Sequence, residues 1–197
     1  MTRSPPTAMA RALCCAALGL LLAGCIGQSP EQRAEADLGP EQPGVGTGPN
    51  HRPGQPCLTC HGPEHTPGEE VFVLAGTVYR RASDTRGLEG AEVEFEDAEG
   101  RSFTARTNRA GNFFVRVEQG RAEPRQRNNG ELQLPWPPRF PLRVRVHGDG
   151  TQQTMRGLIW REGSCAVCHG GQPGAASNGR IYLEAHMPAD AGGGQTP

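Results

Sequence analysis

The chain contains no lysine, so each of its 20 basic residues is an arginine. That absence fits a coding bias, and it means that contacts with any partner would draw on planar guanidinium groups and not on a ring of ammonium groups. No long run of one charge sign is present and the formal net charge is −1. These features exclude the electrostatic footprint of a nucleic-acid binder or of a polybasic membrane patch. Aromatic residues make up only 5% of the chain, against 28 glycines and 18 prolines, so the core must be small and the loops many. With 197 residues there is room for one ordinary domain plus extras, or for two small units, but not for a large enzyme. A long apolar run is missing too: the apolar stretch from Ala12 to Ala23 is too short to span a bilayer comfortably.

What is present begins with that stretch. Arg3 and Arg11 precede it, giving the basic start and short apolar middle of an export signal. It ends Leu21-Leu22-Ala23-Gly24-Cys25, which resembles the lipobox of bacterial lipoproteins. The resemblance implies cleavage before Cys25, a diacylglycerol on the Cys25 sulfur, and a membrane anchor that holds stably once several acyl chains are attached. Residue 26 is Ile and not Asp, so the resemblance favours the outer membrane, with the protein facing the periplasm or the cell surface. The plainer alternative is a buried apolar helix that happens to end in a cysteine.

The cysteines then sort themselves. Of seven, Cys14 and Cys15 leave with the signal and Cys25 takes the lipid. The remaining four form Cys57-Leu58-Thr59-Cys60-His61 and Cys165-Ala166-Val167-Cys168-His169. Two thiols three residues apart can add to the two vinyl groups of haem, and the next residue places an imidazole against the iron as proximal ligand. A zinc site also uses CxxC, but it does not need a histidine directly after the second cysteine. One such match by accident in a chain of this length has odds of roughly one in a thousand, and two are far rarer. Both motifs continue with glycine, at Gly62 and Gly170, and so resemble the Cys-His-Gly run of c-type cytochromes. The expectation is two covalently bound c-type haems, held by Cys57, Cys60, Cys165 and Cys168, with His61 and His169 as proximal iron ligands. Two alternatives stay open: a four-cysteine zinc knot across a gap of 105 positions, and a pair of CxxC disulfides in an oxidising compartment.

The distal ligands are harder to read. His51, His65, His147 and His186 remain, with Met155 and Met187 as the methionines of the mature chain. His65 lies four residues after His61 and would tend to share its side of the first haem, although it could reach the other one. His51 and His186 are the expected distal ligands, with Met187 the competitor of His186; a solvent-exposed loop histidine is the alternative for each. Methionine opposite histidine would raise the potential relative to two histidines, and an empty sixth position would admit a small molecule. Trp136 and Trp160 could pack on haem edges or serve ordinary packing roles.

Between the motifs the texture changes. Residues 71–79, 91–96, 102–107, 113–117 and 142–146 read as short strands, several alternating apolar and charged residues. Turn signals separate them at 84–90, 99–100 and 108–112. Strands at this spacing predict an antiparallel sandwich with one wet face. The steps Gly76-Thr77-Val78, Leu88-Glu89-Gly90-Ala91-Glu92-Val93, Gly100, and Thr107-Asn108-Arg109-Ala110-Gly111-Asn112-Phe113 occur in order. In them the stretch resembles the carboxypeptidase regulatory-like family, a transthyretin-like or immunoglobulin-like β-sandwich. That resemblance implies a fold and not an activity. The Pro-rich segment 120–141 interrupts the pattern.

The expected fold class is mainly β, a small antiparallel β-sandwich with flanking haem-binding loops and an N-terminal signal and tether. The chain divides into a lipoprotein signal at 1–24, a flexible tether at 25–49 and a first haem segment at 50–70. The sandwich at 71–156, a second haem segment at 157–186 and a disordered tail at 187–197 follow. The leading functional expectation is single-electron transfer with redox proteins as partners, the lipid anchor on the membrane and no nucleic acid. A binding or surface lipoprotein with structural CxxC motifs is the alternative. A small haem enzyme is the third reading, against which neither motif carries a catalytic signature.

Overall fold

The computed structural model describes residues 28–41, 44–63, 70–171, 173–175 and 177–184. Among the described residues nine strands follow one another: β1 (Leu74–Tyr79), β2 (Glu92–Glu96), β3 (Ser102–Arg106), β4 (Asn112–Val117), β5 (Arg125–Gln126), β6 (Glu131–Leu134), β7 (Arg143–Gly148), β8 (Thr151–Thr154) and β9 (Ile181–Tyr182). They form a five-stranded sheet in the order β5-β6-β4-β1-β9 and a four-stranded sheet in the order β3-β2-β7-β8. The period-two pattern explains the second sheet directly. In β2, β3 and β7 the buried positions alternate with exposed or half-buried ones, and Val93, Phe95, Phe103, Ala105, Val144 and Val146 all turn inward.

The first sheet is covered on both faces. Leu74, Val78, Phe113, Val115, Leu132 and Leu134 share the core of the second sheet's inward residues, so both sheets pack on a single apolar layer. Side chains such as Phe95 and Phe113, fully buried there, each contribute about 1.5–3 kcal/mol relative to exposure. On the opposite face Phe72, Ala75 and Phe114 form a second cluster with Cys57 and Leu58. Every residue of β1 and β6 is therefore buried, which the expectation of one wet face does not anticipate.

The expected all-antiparallel pairing is corrected for this sheet. β1 pairs antiparallel with β4, but β4 pairs parallel with β6 and β1 parallel with β9. Parallel neighbours need a long connection, and residues 118–130 supply one, turning back through β5, which pairs antiparallel with β6. The second sheet is antiparallel throughout.

Three helices are described: α1 (Pro30–Asp37), α2 (Leu58–His61) and α3 (Cys165–His169). α2 is the short turn of the first CxxCH motif and α3 that of the second. α1 lies in the segment expected to be a flexible tether, and its cause is local. The Ser29 hydroxyl accepts from the Gln32 N–H, the Ser29 N–H donates to the Gln32 side chain, and proline opens the helix. Residues 32–37 are exposed, so no apolar period marks them. The described residues up to Asp37 and those from Leu38 onward belong to separate units. Among the described residues no helix is long and apolar enough to cross a membrane.

Candidate functional site

The first motif sits on the outer face of the five-stranded sheet. Its approach is clamped by polar side chains projecting from β1, from β4 and from the turn before β4. The Thr77 hydroxyl accepts from the Gly54 N–H at 2.8 Å and donates to the Asn112 side chain at 2.8 Å. Asn112 in turn donates to the His51 and Pro49 carbonyls, and Asn108 donates to Pro49 as well. These bonds fix the backbone that carries His51. Sequence reading missed the clamp because Thr77, Asn108 and Asn112 look like ordinary strand and turn residues; their burial at 5%, 4% and 3% exposure is visible only once the sheet is built.

After Cys57 the chain makes a short helical turn, and the Phe72 N–H bonds the His61 carbonyl at 2.7 Å. The His61 ring packs on Phe72, centroid to centroid 4.7 Å, and Phe72 stacks on Phe114 at 4.8 Å. The His51 ring stands edge-on to His61 with centroids 5.8 Å apart. The structure thus places His51, expected as a distal ligand, beside His61, expected as a proximal one.

The second motif closes the edge of the same sheet. Ser164 bridges Ala75 in parallel and the Gly163 carbonyl accepts from the Ala75 N–H at 2.9 Å. Gly163 lies hard against Val73 and near Leu58, and Gly170 lies near the Gly54 carbonyl. Although far apart in the sequence, the two motifs are neighbours on β1. Burial pushes the Cys57 thiol up to about 11 and the Cys165 thiol up to about 12, and the nearby Cys57 adds to the shift at Cys165. Cys168, by contrast, is exposed.

The ring nitrogens follow one rule. His61 Nδ1 faces the Glu70 carbonyl at 3.2 Å, His169 Nδ1 faces the Gly179 carbonyl at 2.9 Å, and His51 Nδ1 faces the Gly48 carbonyl. A carbonyl only accepts, so in each ring Nδ1 carries a proton, and in the neutral form of that ring Nε2 is the nitrogen with the lone pair. Metal-bound histidines are oriented this way. Around the first of them, Glu70 is steadied by Arg116 from β4 at 3.1 Å.

Beside the second motif a cleft of about 860 Å³ opens, lined by Cys165, Cys168 and His169, by Ile181 of the first sheet, and by Val144, Val146 and Met155 of the β7–β8 hairpin. Its size falls within the ~300–1,000 Å³ of small-molecule and cofactor sites. Arg156, Arg161 and Arg180 also line it, a charge complement for carboxylates. Among the described residues the large exposed apolar side chains are Val71, Trp160 and Val167. Val71 directly precedes Phe72 beside the first motif, Val167 belongs to the second, and Trp160 lines the cleft. An apolar ring system seated at the motifs would cover such surface.

The other expected residues fall elsewhere. Cys25, His65, His186 and Met187 lie outside the described residues. His147 bonds Glu94 at 3.1 Å on the second sheet, and Trp136 lies under the Arg101 guanidinium. Among the described residues no group of three or more His, Cys, Asp or Glu side chains converges as for a bare metal ion; haem iron asks only for axial groups. No protein-family model, curated protein or solved structure matches the chain.

Proposed function

We propose that the chain is a lipid-anchored, dihaem c-type cytochrome-like protein that carries single electrons in the periplasm or at the surface of a bacterial outer membrane. The observation that carries this reading is the meeting of two CxxCH motifs on β1, each with its histidine Nδ1 tied to a backbone carbonyl and its Nε2 left to bind metal. Covalently bound haem supplies a reversible one-electron couple at iron. The residues around it do the rest. Cys57, Cys60, Cys165 and Cys168 hold the two groups through thioethers. His61 and His169 would each bind an iron, and His51, held by the Asn112 clamp, would join His61 at the first. Phe72 and Phe114 fix the His61 plane and keep water from its apolar side. The sandwich, in its resemblance to carboxypeptidase regulatory-like modules, serves as scaffold, and Cys25 carries the anchor.

A second reading makes the motifs structural braces of a partner-binding sandwich, and the packing of Cys57 and Leu58 on Phe72, Ala75 and Phe114 favours it. Expression with cytochrome c maturation machinery separates the two. The mature chain should carry the mass of two haems and a lipidated N-terminus, and dithionite should reduce both haems reversibly. A colourless protein, or one whose cysteines hold zinc or each other, ends the proposal. Two haems that do not cycle leave the brace.

A further inference from the structure

The two motifs have unequal surroundings. His61 already has an imidazole beside it, at 5.8 Å between ring centroids. His169 has none among the cleft-lining residues. What faces it is set by the β7–β8 hairpin. Val146 pairs with Gln153, and the ladder continues with the Met155 N–H on the Val144 carbonyl at 3.0 Å. Alternation therefore turns Met155 to the same side as Gln153, Val144 and Val146, toward the first sheet. The same cleft is lined by Cys165, Cys168 and His169, which follow the Ser164 bridge to Ala75 of the first sheet.

We infer that Met155 is the sixth ligand of the second haem, opposite His169, and that the second haem therefore holds the electron in preference to the first. This rests on the dihaem reading above. Tyr182, another possible donor in the cleft, belongs to β9 on the first-sheet side with His169 and is half-buried against β1. Gln153 offers an amide oxygen, a harder donor than a thioether. Met155 alone combines a soft sulfur with a place on the second-sheet side of the cleft. Its backbone is pinned by the hairpin while its unbranched side chain stays adjustable. A methionine opposite histidine raises the potential above that of a bis-histidine haem. The order of filling follows: an electron arriving at the first motif moves on to the second, and the acceptor is met at the cleft.

The test uses the matured full chain. Haem count by intact mass comes first, then the sulfur-to-iron charge-transfer band at the red edge of the ferric spectrum, then a spectroelectrochemical titration. Wild type should show two haems, the band, and two midpoint potentials. Met155→Leu, which conserves volume, should lose the band and lower the higher potential while leaving the other in place. Met155→His should also lose the band and bring the two potentials closer, with far-ultraviolet circular dichroism checking the fold of both. Met187→Leu and His186→Ala should keep the band. A chain without haem overturns both this inference and the functional reading. Two haems with no band, a band that survives Met155→Leu, or a band lost in Met187→Leu overturns the ligand assignment alone.

Discussion

Replacing Gly163 by alanine should loosen the joint that holds the two motifs together. A methyl group there would lie 2.0 Å from the Val73 carbonyl oxygen, 3.0 Å from its carbon and 3.2 Å from the Leu58 side chain. The neighbour cannot easily retreat, because the Val73 N–H is itself bonded to the Val115 carbonyl in the sheet at 2.8 Å. Relief requires residue 163 to move off the strand by about 1 Å, a shift of the size that overpacking imposes at a cost of ~1–3 kcal/mol. The same shift stretches the 2.9 Å bond from the Ala75 N–H to the Gly163 carbonyl. Ala75 is 1% exposed, so its freed donor costs a further ~1–3 kcal/mol.

Together these terms predict a loss of roughly 2–6 kcal/mol, or a fall in melting temperature of about 4–24 °C at about 2–4 °C per kcal/mol for a domain of this size. Gly46→Ala, at an exposed site away from the cleft, is the matched control. Its added methyl meets nothing within 4 Å, so it should stay within about 0.5 kcal/mol of wild type. Thermal and urea unfolding of the matured proteins decide the matter. A Gly163→Ala protein that melts within 2 °C of the control would refute the claim that the Gly163–β1 contact holds the second motif in place.

Four further outcomes follow from other contacts. Asp97 is 4% exposed; burial alone would raise its pKa, but bonds from the Arg101 side chain and from the Arg101, Arg139 and Glu99 N–H groups hold it below the ordinary carboxylate range. Its contribution is complete above the unfolded value of about 3.9 and disappears as the pH falls through the lower folded value, so Asp97→Asn should cost about 2–3 kcal/mol at pH 7 and flatten the acid limb of a stability–pH curve. In the unmatured chain at pH 8, exposed Cys168 should be alkylated before Cys57 and Cys165, whose thiolates amount to only about 0.1% and 0.01%; peptide mass spectrometry over time reads the order. Phe114→Ala, which removes a ring 6% exposed and stacked on Phe72, should cost about 3–5 kcal/mol by urea unfolding. His51→Ala should leave both haems attached by mass and turn one of them high-spin in the ferric spectrum, with no such change in His147→Ala.

The parts of the fold that were legible are those whose signal is local. β2, β3 and β7 alternate in plain view, and the turn around Glu99-Gly100 is where Asp97 accepts the Glu99 and Arg101 N–H groups. β6 alternates as well, Glu131-Leu132-Gln133-Leu134, but it is short, lies among prolines, and buries its polar face, where Gln133 donates to Glu131 at 2.7 Å. β8 has no apolar residue to announce it, and β5 and β9 have two residues each; only their partners make them strands. The candidate site divides the same way. The CxxCH chemistry is contained in five adjacent residues, and His51 was within sight of it. The clamp from Thr77 and Asn112 to the 49–54 loop, and the pairing of Ser164 with Ala75, span tens of residues and arise only from the sheet.

Both motifs solve a packing problem for β1, and that ties their stability to their spacing. The outer face around Ala75 would present Phe72 and Phe114 to water without Cys57 and Leu58 over it. The edge of β1 beyond its short pairing with β9 would keep an unpaired N–H at Ala75 without Gly163. Each motif thus completes a different side of one strand, and a strand has only one position in the sheet. Separating the motifs requires unfolding part of that strand, so the distance between them is held as firmly as the sandwich itself. A flexible linker between the two CxxCH motifs would let their separation vary; here the intervening chain is the scaffold that removes this freedom.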